Sequence, residues 1–101
     1  MKALLITPDN QSIEIIDITH YDDIVRLIGF DTIISDEISK EGDRLFFDED
    51  CFLRGSSGRF QIDSLIPVSG KGVIIGSDSH GVELHDMVSD IDDVKSRIKY
   101  L

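Results

Sequence analysis

The chain has 101 residues, enough for one domain with one modest core and too few for separate cofactor and substrate domains. It carries 20 acids against 10 Lys and Arg, a formal net charge of −10, which opposes direct binding to DNA, RNA or anionic lipid. An apolar fraction of 41% argues against disorder, no apolar run reaches the roughly 18 residues of a membrane span, and Cys51, the single cysteine, rules out an intrachain disulfide.

"KALLIT" (2–7) reads as a buried strand that stops at the turn residues Pro8, Asp9 and Asn10. The apolar run lacks a small-residue cleavage site after it, so no signal peptide is expected and a cytoplasmic protein is predicted. "SIEIIDI" (12–18) alternates and then slips at Ile16 and Ile18, which predicts a second strand with a bulge, paired to the first as a hairpin. Thr19 with Asp22 has capping-box spacing. Tyr21, Ile24, Val25 and Ile28 fall on one helical face, and Gly29 is a C-terminal stop, so a helix is expected at about 20–28.

"FDTIIS" (30–35), "RLFFDED" (44–50), "CFLR" (51–54) and "RFQID" (59–63) read as short strands, separated by the polar loop "EISKEGD" and the turn "GSSG". Pro67 keeps "SLIPVSG" out of a sheet interior. "GVIIG" (72–76) is a buried strand and "VELH" (82–85) a short final one. A terminal helix at about 90–99 follows from capping-box spacing at Ser89 and Asp92 and a stripe of Ile91, Val94 and Ile98. Its acids come first and its bases last, matching the helix dipole. The predicted fold is α+β over residues 1–101 as one domain. It has a mostly antiparallel sheet of short strands, with both helices on one face or edge.

"GKGVIIGSDSHG" (70–81) invites three readings. A phosphate loop fails: Leu65 stands where glycine is needed, Gly72 replaces Ser or Thr, and a β-branched run follows instead of a helix. A calcium loop with Gly81 at its sixth position puts Gly76 at the first and Met87 at the last, both wrong. What remains is one strand with a turn at each end. A transition-metal site would draw on His80, His85, Asp86 and His20, but His80 and His85 are five apart, off helical spacing and on opposite faces of a strand. Cys51 follows Asp48, Glu49 and Asp50, whose charge opposes thiolate formation, so it is a poor nucleophile. No catalytic residue, metal ligand or cofactor is assigned, and no enzyme is expected.

Charge is lopsided. Residues 1–50 hold 13 acids and 4 bases, net −9, while residues 51–101 hold 7 acids and 6 bases, net −1. Solubility alone favours such a surplus. The sharper reading is an acidic surface formed by Asp36, Glu37, Glu41, Asp43, Asp48, Glu49 and Asp50, which would meet a basic protein partner.

The segments "MKALLITPDNQSIEII", "LIGFDTI", "GDRLFFDEDCFL" and "SGKGVIIGSD" occur in one order. Over residues 1–78 this order resembles the small phage, plasmid and mobile-element proteins grouped as domain of unknown function 3846. The resemblance implies a mobile-element accessory protein, cytoplasmic in a bacterial host, and brings no active site with it. The expected function is non-enzymatic binding of a host or element protein, at one extreme by DNA mimicry as an anti-defence inhibitor. The alternative is a small-anion or nucleotide-binding module built on the glycine-flanked strand 70–76, with Lys71, Arg59 or Arg54 turned inward.

Overall fold

The computed structural model describes residues 1–101, and their fold is α+β. Strands β1 (Lys2–Thr7) and β2 (Ser12–Asp17) form the hairpin, joined by a 3-10 turn at Pro8–Asn10 and a left-handed Gln11 (φ 53°). Helix α1 (Tyr21–Ile28) follows. The Asp23 carboxylate accepts the Thr19 and His20 N–H groups at 2.9 and 3.1 Å, one residue later than the spacing at Asp22 predicts. Gly29, at φ 93°, closes the helix with its N–H on the Val25 carbonyl.

Strands β3 (Ile33–Glu37), β4 (Asp43–Asp48) and β7 (Gly72–Ser77) complete the main sheet in the order β2-β1-β7-β4-β3. The short β8 (Leu84–His85) pairs with the end of β7. A second sheet of three strands holds β5 (Arg59–Ile62) between β6 (Val68–Ser69) and β9 (Ile98–Tyr100). Helix α2 (Ile91–Arg97) leads directly into β9. Every strand pair is antiparallel.

The main sheet is covered on both faces, which is why β1 and β7 read as continuous apolar runs instead of alternating. Ala3, Leu5, Phe46 and Val73 pack with Ile24 and Ile28 of α1 on one face. Leu4, Ile6, Leu45 and Ile74 pack on the other with Phe60, Ile62 and Val94, from the second sheet and α2. The two helices therefore sit on opposite faces of the sheet, not on one.

Three other expectations change. β2 has no bulge: its register with β1 is unbroken from Lys2–Asp17 to Thr7–Ser12. Apolar residues of either parity find cover there, Ile13 against one core and Ile16 against the other. "CFLR" is no strand. The Asp48 carboxylate accepts the N–H of Asp50, two residues on, and curls the chain into a 3-10 turn at Cys51–Leu53. The terminal helix ends at Arg97, because Ile98, Lys99 and Tyr100 pair with Ile62, Gln61 and Phe60 as a strand. No helix is long and apolar enough to cross a membrane.

Candidate functional site

The seven acids singled out by sequence divide by burial. Asp43 is fully buried at the start of β4. Its two oxygens accept the backbone N–H groups of Val88 and Ser89 at 3.0 and 2.7 Å, pinning the segment that leads into α2. Asp48, 2% exposed, closes the other end of β4. It accepts the Thr32 hydroxyl, the Asp50 N–H at 3.0 Å and the Arg54 Nε at 2.8 Å. Burial alone would raise the Asp48 carboxyl, but the Arg54, Thr32 and Asp50 donors outweigh it and hold the group below the ordinary carboxylate range. Arg54 also lies over the Phe30 ring, 4.0 Å from its centroid. Asp43 and Asp48 are thus interior fasteners and not part of the acidic surface. Glu37, Glu41 and Glu49 are exposed, and Asp36 and Asp50 are half-buried.

The glycine-rich stretch is a central strand. Gly70 turns the chain into it at φ 83°. Gly76 lies so close to the paired strand that a Cβ there would meet the His85 ring at 2.1 Å and the Asp86 carbonyl oxygen at 2.5 Å. No helix N-terminus follows, so no phosphate cradle forms. Lys71 lines a small depression of about 110 Å³ with Arg54, but Asp9 and Asp48 line it too. Cations and carboxylates balance there, and Arg54 is already engaged by Asp48. Arg59 instead lies over the exposed Phe52 ring. No three His, Cys, Asp or Glu side chains come together as a metal site. Cys51 is buried, with its sulfur accepting the Ser69 N–H at 3.4 Å.

What sequence reasoning misses is the edge formed by β3. This strand pairs only with β4. The Thr32 carbonyl accepts from Glu49 and the Ile38 N–H donates to Asp43, so even-numbered residues turn their backbone toward β4. By ladder alternation, Ile33, Ser35 and Glu37 turn theirs outward. Of these outward groups the Ser35 carbonyl is occupied: Arg44 Nη2 donates to it at 3.0 Å, while Arg44 Nε donates to the Ser35 hydroxyl at 2.9 Å. No carboxylate lies within ion-pair distance of Arg44, unlike Arg26, Arg54 and Arg97.

Beside this edge, on the α1 face, runs a groove of about 640 Å³. Ile33, Ser35 and Phe46 form its sheet side, with Tyr21 of α1 and Val82 of the loop after β7 across from them. Tyr21 meets Phe46 edge to face at 6.3 Å. The loop is shaped by Asp78, whose carboxylate accepts the Val82 and Glu83 N–H groups. Those bonds, Val82 first, hold the Asp78 carboxyl below its ordinary range.

No family model, curated protein or solved structure matches this chain. The chemistry of the site therefore rests on its own geometry. That geometry joins an open strand edge, three acids at its end and an adjoining half-apolar groove. Neither the edge nor the groove has a local signal in "FDTIIS". Strand order is set by pairings between distant segments: β7 pairs with both β1 and β4, and β3 is an edge because no strand pairs with its outer side.

Proposed function

We propose that this is a non-enzymatic protein-binding module that offers the acidic margin around β3 to a basic surface of a host or element protein. The observation that carries this reading is the placement of Asp36, Glu37 and Glu41. They lie at the end of an unpaired sheet edge and in the loop that leaves it, and no cation is within ion-pair distance of any of them. Glu49 and Asp50, just past β4, extend the acidic character beside the start of β3. The resemblance to domain of unknown function 3846 supports a mobile-element accessory role in the cytoplasm of a bacterial host, with DNA mimicry as one form of it. A small-anion or nucleotide site at strand 70–76 finds less support, because the depression at Lys71 is narrow and carries its own carboxylates.

The test is capture of the partner from host lysate, followed by binding measurements with purified components. One variant changes Asp36, Glu37 and Glu41 to amides, and a second changes Glu49 and Asp50. Affinity is expected to fall as salt rises from about 50 to about 300 mM, since exposed charges are screened over that range. It is also expected to fall in at least the first variant. Binding that ignores both salt and neutralisation would refute the proposal.

A further inference from the structure

We infer that the partner docks as an added strand on the β3 edge: an extended segment in which apolar residues alternate with Lys or Arg. This rests on the acidic-surface reading and specifies how that surface is used.

The backbone supplies the first argument. The N–H groups of Ile33, Ser35 and Glu37 face away from β4, and no protein acceptor meets them. A strand laid about 4.8 Å outside β3 would satisfy them. The groove supplies the second. Residues of an added strand opposite Ile33 and Ser35 share the face of those side chains, and that face opens into the groove lined by Tyr21, Phe46 and Val82. The intervening residues fall on the other face, beside Ile34 and Asp36. Arg44 and His80 also line the groove, and Arg44 opposes a second cation there. Groove-facing positions therefore call for apolar side chains and intervening positions for cations, with Glu37 and Glu41 favouring further bases at the end.

Charge decides the occupant. A second copy of this chain pairing edge to edge would bring Asp36, Glu37 and Glu41 near their counterparts, on a chain of net charge −10. Arg44 works against pairing: its guanidinium covers the Ser35 carbonyl, so an added strand gains that acceptor only by displacing Arg44, while the outward N–H groups stand free. The opposite edge, β2, also exposes Ile15 and carries Glu14 and Asp17, but Asp17 is paired with the N-terminal ammonium, and Lys2 and Lys95 balance Asp90 and Asp92 in the hollow beside Ile15.

The experiment uses two synthetic peptides of one composition: acetyl-Lys-Val-Lys-Val-Lys-Val-Lys-amide, and an isomer with the three valines in one block. Affinity and amide hydrogen exchange are measured on the intact protein, with Glu37→Pro and Glu37→Gln alongside. Both variants lose the same charge, but only proline removes an outward N–H, and proline is tolerated on an open edge. We expect the alternating peptide to bind at least tenfold tighter than its isomer and to slow exchange at Ile33, Ser35 and Glu37. Glu37→Pro should weaken binding roughly tenfold more than Glu37→Gln, the scale of one backbone hydrogen bond. Should Glu37→Pro fail to fold, exchange at the three amides of the unaltered protein decides alone. Equal, salt-sensitive binding of both peptides without amide protection would overturn strand addition while leaving the acidic surface standing. Binding of neither peptide would also overturn strand addition, and the acidic surface would then be judged by the captured partner.

Discussion

Asp43 separates an interior fastener from a surface charge, and the distinction is measurable. Changing Asp43 to Ala deletes both acceptors of the Val88 and Ser89 N–H groups in one step. A buried donor left without a partner costs about 1–3 kcal/mol, so two set a range of about 2–6 kcal/mol. Val88 is exposed and Ser89 half-buried, so water reaches the vacated donors in part and the expected loss is about 2–4 kcal/mol. Relief of charge repulsion in so acidic a chain works in the opposite direction. Against a total of about 5–15 kcal/mol for a small domain, the loss is large. Urea unfolding at pH 7 reads it directly: with a slope of about 2 kcal/mol per M, the midpoint drops by about 1–2 M. Asp43→Asn keeps one acceptor and should lose about half as much. Glu41→Gln, in the exposed loop two residues earlier, should stay within about 0.5 kcal/mol of the wild type. A wild-type midpoint for Asp43→Ala, or an equal drop for Glu41→Gln, would refute the account.

Two further outcomes follow from buried pairings. Asp48 is held below its ordinary range in the folded state, so its contribution is present above the unfolded carboxylate pKa of about 4 and is lost as pH falls through the lowered folded value. The gap in urea midpoint between wild type and Asp48→Asn should therefore be wide at pH 7 and shrink toward pH 3, and a gap constant across that range would contradict the pairing. Ending the chain at Arg97 removes β9, with Ile98 and Tyr100 that pack on the core, and leaves β5 paired on one side only. The melting temperature should fall by at least about 10 °C, given about 4–8 °C per kcal/mol for a chain of this size. A transition within a few degrees of wild type would show that the last four residues are dispensable.

Local pattern alone carried the hairpin, the first helix and the buried strand at 72–77. Their information lies within a few residues: alternation broken by Pro8, Asp9 and Asn10, a four-residue apolar stripe closed by Gly29, a β-branched run between glycines. The α+β class followed from their order. Tertiary structure decided the rest, because the deciding partners are far apart in the chain. Ile98 continues the spacing of Ile91 and Val94 and reads as helix; only Ile62, 36 positions earlier, makes it a strand. Asp43 and Asp48 read like Glu41 and Glu49. Burying a carboxylate requires donors to replace water, and Val88, Ser89, Thr32 and Arg54 are brought to them only by folding. Sequence could count the acids in the first half of the chain. Which of them are buried and which stay exposed was settled by where the distant backbone N–H groups and the Arg54 guanidinium came to rest.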